Sequence, residues 1–143
     1  FNESIKGINA KFGIHICYSE DYSNMYPEVL EMKNHQYELE FANRDSWNKG
    51  TKHSNRNGYE SFLKTFRDYN EKKEIGLGVL DVHVDKIEPP ELVRDRILYA
   101  VKMTDNPNLI HVNPDCGLRT RTRETSFSKL KNMVIGAEMP KRN

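Results

Sequence analysis

The 143-residue chain has little of what would send a protein to a membrane or to nucleic acid. No apolar run approaches the roughly 20 residues that span a bilayer, and no secretory leader precedes the first strand-like segment. A soluble, cytoplasmic protein is the expectation. The formal charge is only +1, so there is neither the basic footprint of a nucleic-acid binder nor an acidic tail. Hydrophobic residues make up 36%, against roughly 45–50%, glycine included, in ordinary globular domains. The chain also opens on Phe1 rather than methionine, and the two features together suggest a piece of a larger domain. The "GLG" at 76–78 is too short for a phosphate-binding G-x-G-x-x-G turn. Internal repeats and low-complexity tracts are lacking, and the length suits one domain over 1–143. Cysteine is scarce: Cys17 and Cys116 are the only two. They permit a disulfide by count, but in a cytoplasmic chain metal binding or catalysis is the better-founded use.

What is there is an alternation. Strands are expected at 11–19, 36–42, 74–84 and 109–114. Helices are expected at 25–33, at 59–70 with Phe62, Phe66 and Tyr69 at helical spacing, at 89–104 and at 123–138. The third of these helices is the clearest, with proline at its start and Leu92, Ile97 and Val101 on one side. Residues 43–58 have almost no apolar content and read as a long polar loop. Strands alternating with helices imply βαβ units and a parallel sheet. Four such units make either half of an eight-stranded (β/α)8 barrel or a small open α/β sheet.

The residues that carry chemistry gather where those strands end. His15 and Cys17 are two apart in "GIHIC", and on a strand residues i and i+2 point to the same side. The second strand carries Glu38 and Glu40, the third Asp81 and His83, and the fourth runs into "NPDCG" with Cys116 in a proline–glycine turn. In a βα barrel the carboxyl ends of the strands hold the active site. Two thiolates, an imidazole and a carboxylate favour zinc over magnesium or calcium, which prefer all-oxygen shells.

Each residue also has a plain structural reading. For Cys17, packing and ligation stand level once His15 is counted. Cys116, in a polar turn, leans to function. Glu40 taken alone reads as a surface or salt-bridged carboxylate, His83 as a hydrogen-bonded barrel histidine, and Asp81 as a residue that orients His83 or a loop amide. His35, His53 and His111 show no partner pattern and read as structural or solvated. Arg119, Arg121 and Arg123 form either a solvated helix entrance or an anion site, with Arg119 and Arg123 read as solvated.

"IHICYSE", "LEFANRD", "GLGVLDVH" and "VNPDCGLRTR" occur in this order at suitable distances. Together they resemble the C-terminal catalytic barrel of cobalamin-independent methionine synthase, from about Phe12 to the end of the chain. The resemblance implies a TIM-barrel fold of which this chain covers about four C-terminal βα units. It implies Zn²⁺ held by His15, Cys17, Glu40 and Cys116, with His83 as the proton donor. It also implies methyl transfer from 5-methyltetrahydrofolate to the thiol of homocysteine. Thiol-alkylating coenzyme M transferases share a similar His-x-Cys…Cys zinc pattern.

The sequence departs from the family at 45–58, a polar insertion, and in lacking the first half of the barrel, which supplies most substrate contacts. The rival expectations are a zinc thiol methyltransferase with a methyl-corrinoid donor or another thiol acceptor, and a non-catalytic half barrel that needs a partner chain. Neither nucleic acid nor membrane is an expected partner. The absent N-terminal half, or a second copy of the chain, is.

Overall fold

The computed structural model describes residues 1–17, 22, 28–69 and 71–139. Four strands form one sheet in chain order: β1 (Gly13–Ile16), β2 (Gln36–Leu39), β3 (Glu74–Gly78) and β4 (Ile110–Asn113). All neighbouring pairs are parallel. Helix α1 (Asn57–Asp68) lies between β2 and β3, α2 (Pro90–Thr104) between β3 and β4, and α3 (Arg123–Glu138) follows β4. This is the α/β alternation expected of consecutive βα units.

Strand alternation divides the sheet into two unlike faces. Tyr37, Leu39, Ile75 and Leu77 are buried, and Ile16, Ile110 and Val112 pack against the same core. On that side Phe62, Leu63 and Phe66 of α1 and Val93, Ile97, Ala100 and Met103 of α2 complete the packing. The opposite face is polar. Its register places His15 beside Glu38, Glu38 beside Gly76, and Gly76 beside His111. A parallel sheet is normally covered on both faces; this one presents a row of titratable groups on one of them.

Several elements differ from the sequence expectation. Of the helix expected at 25–33, residues 25–27 lie outside the described residues, and 28–31 form turns. The Val29 and Leu30 carbonyls there accept from the Tyr37 hydroxyl (3.0 Å) and Lys73 Nζ (2.6 Å). Of the strand expected at 11–19, residues 18 and 19 also fall outside the described residues. Strand β3 stops at Gly78, not at residue 84. Beyond it Val79 and Leu80 still bond to the β4 side, through Asn113 (2.8 Å) and Asp115 (3.0 Å). Asp81 and His83 therefore sit on a loop rather than on a strand. Tyr69, expected on the apolar stripe of α1, is its exposed C-cap.

The polar stretch 43–58 is mostly exposed or half-buried, as its composition suggests, but two of its charged residues, Asp45 and Arg56, are buried. It contains short 3₁₀ turns at Ala42–Arg44 and His53–Asn55. Asp45 and Arg56 pair at 2.8 Å, and Arg96 of α2 joins the same carboxylate at 3.0 Å, all with fully buried side chains. Arg96 also donates to the Val79 carbonyl (2.9 Å), which ties this stretch to the end of β3.

Candidate metal centre

His15 projects from the polar face of β1, and Cys17 follows one residue past the strand end. Cys116 arrives from the far side of the sheet. The chain leaving β4 crosses over the end of β3, and the feature that lets it pass is Gly78. A Cβ there would collide with the Asp115 carboxylate and come within 2.6 Å of the Leu39 carbonyl. Asp115 is then fixed by three backbone N–H donors: Phe41 (2.9 Å), Ala42 (2.9 Å) and Asn43 (2.8 Å). Cys116 is thereby anchored next to the residues that follow β2.

The outcome is convergence. One potential ligand atom each from His15, Cys17 and Cys116 lies within 4.8 Å of the others. Tetrahedral zinc, with bonds of about 2.0–2.3 Å, sets its donors about 3.3–3.8 Å apart, so small side-chain adjustments would complete the contact. Two sulfurs and an imidazole are the borderline-soft donors that zinc takes. Burial, followed by the charges of Cys116 and Glu40, pushes the Cys17 thiol above its ordinary value.

Glu40 is not among the three converging residues. Its carboxylate is fully buried beside them, with Oε1 3.4 Å from His83 Nε2 and Oε2 accepting from Asn43 Nδ2 at 3.3 Å. Its charge still reaches Cys17. Asp81 does hold His83, through the backbone: Oδ1 accepts the His83 N–H at 2.8 Å, a local turn in which an aspartate caps the amide two residues on.

Glu38 lines the pocket below these groups. Its carboxylate accepts from Gln36 Nε2 (2.5 Å) and from Asn113 Nδ2, and a Cβ on Gly76 would strike it. Burial pushes its carboxyl up, against the pull of Asn113 and His111. The cleft measures about 390 Å³ and is lined by His15, Glu38, Asn113, Asp115 and Cys116 among others.

The remaining histidines have structural partners: His35 accepts from the Phe12 amide (3.0 Å), His53 meets the Tyr99 hydroxyl (2.9 Å), and His111 pairs with Glu74 (3.3 Å). Arg121 is largely buried at its side chain and pairs with Asp85 at 2.8 Å. Sequence reasoning passed over Asp115, Glu88 and Lys129. The one signal for Lys129 was its place on the inner stripe of α3 with Met133, Gly136 and Ala137. Among the described residues, no helix is long and apolar enough to cross a membrane.

Residues 2–139 match the family model described as the catalytic domain of cobalamin-independent synthase. The methionine synthase of Thermoplasma acidophilum is 46% identical over 138 residues, which cover 94% of this chain and 40% of that protein. The methionine synthase of Sulfurisphaera tokodaii is 41% identical, covering 96% of this chain and 36% of its own length. A B12-independent methionine synthase from Shewanella sp. W3-18-1, solved in complex with selenomethionine, superposes with a TM-score of 0.75 at 21% identity. That match covers 99% of this chain and 41% of the other. The chain thus has the fold of part of a TIM barrel, and it spans about 40% of the length of the curated relatives it matches.

Proposed function

Because the chain belongs to the family of the cobalamin-independent synthase catalytic domain, we propose that residues 1–143 form the C-terminal part of a zinc-dependent methyltransferase barrel. The reaction moves a methyl group from 5-methyltetrahydrofolate to the thiol of homocysteine, giving methionine. The observation that carries this reading is the meeting of His15, Cys17 and Cys116 at one point on the rim of the sheet.

In this reading His15, Cys17 and Cys116 would hold the ion, with Glu40 as the fourth donor. Bound zinc supplies the positive charge that keeps a substrate thiol deprotonated near neutral pH. Glu40 would be the donor suited to give way to a substrate thiol, because its carboxylate already has His83 and Asn43 as neighbours. His83, 37% exposed at the side chain, is accessible to a substrate. It donates a proton to the folate nitrogen that loses the methyl group, so that the amine leaves neutral. General acid catalysis of this kind contributes about 10²–10⁴-fold. Asp81 keeps the His83 backbone in place. Further contacts to the substrates would come from the rest of such a barrel, since this chain spans only 40% of the Thermoplasma acidophilum methionine synthase.

The test has two parts. Purified protein is assayed for zinc, with Cys116→Ser in parallel; loss of most of the metal is expected, and undiminished zinc would remove Cys116 from the site. In a complete barrel, His83→Ala should slow methyl transfer from methylfolate by about 10²-fold. Turnover with methylcobalamin alone would replace folate as the donor.

A further inference from the structure

Helix α3 reaches behind the loop that carries His83. Lys129 of α3 and Glu88 at the end of that loop form an ion pair of 2.8 Å with both side chains fully buried. The same Nζ donates to the Asp81 carbonyl (3.0 Å) and to the Lys86 carbonyl. Glu88 Oε1 accepts the Asp81 N–H at 2.8 Å, with Arg96 Nη1 at 4.0 Å from that oxygen. Both peptide groups of Asp81 are therefore fixed, the N–H by Glu88 and the C=O by Lys129, while its carboxylate holds the His83 N–H at 2.8 Å. Asn132, one turn further along α3, donates to the Glu88 carbonyl (2.8 Å), and Arg121 binds Asp85 (2.8 Å).

A buried ion pair is a poor way to gain stability, since an apolar pair of similar volume often serves as well. What an apolar pair lacks is direction. A lysine has three N–H donors, and here they tie two loop carbonyls and a carboxylate to one point.

We propose that Lys129 and Glu88 are positioning residues: they lock the Asp81–His83 turn and so set the His83 imidazole beside Glu40. The inference rests on the role given to His83 above.

The experiment uses the zinc-loaded protein with its barrel complete. Lys129→Met/Glu88→Gln replaces the charged pair with a neutral one of similar shape, whose amide oxygen still accepts from the Asp81 N–H. Zinc content is expected to stay the same. Amide exchange at His83 should quicken about tenfold. The kcat should fall about tenfold or more, with the KM for the thiol within about twofold, as a misplaced catalytic group predicts.

Unchanged exchange at His83 overturns the proposal whatever the activity does. Faster exchange with unchanged kcat also overturns it, because the turn would then not matter to the reaction. His83→Ala, run alongside, separates the two readings: parental turnover there removes the acid role, and the exchange data still decide whether α3 locks the turn. If the double variant does not fold, Asn132→Ala removes only the bond to the Glu88 carbonyl. It should shift exchange and kcat in the same direction by a smaller factor, and no change in either overturns the proposal.

Discussion

The Asp115 carboxylate joins the chain after β4 to the chain after β2, with Oδ1 accepting from Phe41 and Ala42 and Oδ2 from Asn43. Asp115→Asn keeps one acceptor oxygen and turns an NH₂ toward a third N–H. A loss of about 1–3 kcal/mol in unfolding free energy is expected from that buried mismatch, measurable by denaturant titration. At Cys17 the consequence concerns pH. Its thiol is pushed up by burial and then by Cys116 and Glu40 beside it, so without metal it is protonated at neutral pH, and ion binding must expel that proton. Apparent zinc affinity should therefore strengthen as pH rises, by about tenfold per unit for each proton displaced. Competition with a chromophoric chelator at pH 6, 7 and 8 measures it, and a flat profile would contradict the ligand role.

At the scale of elements, the stretch from Asp45 to Arg56 depends on one carboxylate shared by two buried guanidinium groups. Asp45→Ala leaves both cations buried without that partner. It should cost about 3–5 kcal/mol, seen as a lowered melting temperature while the far-UV spectrum at low temperature is kept. The burial of Asp45 and Arg56 was not readable from the sequence, because charge signals solvent unless a partner is known, and Arg96 lies 51 residues from Asp45. Lys129 and Glu88, 41 residues apart, escaped for the same reason. The strands were readable because period-2 alternation is local, although Cys17 lies one residue past the end of β1. The end of β3 was not, since Val79 and Leu80 are buried like strand residues although the strand has ended. The pairing of Glu40 with His83 across 43 residues is likewise a tertiary fact, and the family resemblance supplied only its neighbourhood.

At the scale of the whole molecule, two open surfaces stand out among the described residues. One is the polar face of the sheet with His15, Glu38 and His111. The other is on α3, where Phe127 is 69%, Val134 54% and Ile135 41% exposed. Strands β1 and β4 are also the two margins of the sheet, and unpaired margins invite another chain. The 143-residue chain alone should self-associate, visible as a concentration-dependent mass in sedimentation. Co-expression with the remainder of a full-length relative's barrel should return a discrete species, and a clean monomeric, cooperative melt of the chain alone would contradict this.

The crossing over Gly78 has a mechanical consequence. It carries Cys116 from the last strand to within reach of Cys17 at the first, so an ion gripping both acts as a clasp around on the order of a hundred residues of chain, a constraint that for a covalent cross-link of this span is worth about 4–5 kcal/mol. If zinc fills this site, metal supply and structural integrity would become a single variable, and a copy starved of the ion would be one whose borders are free to part.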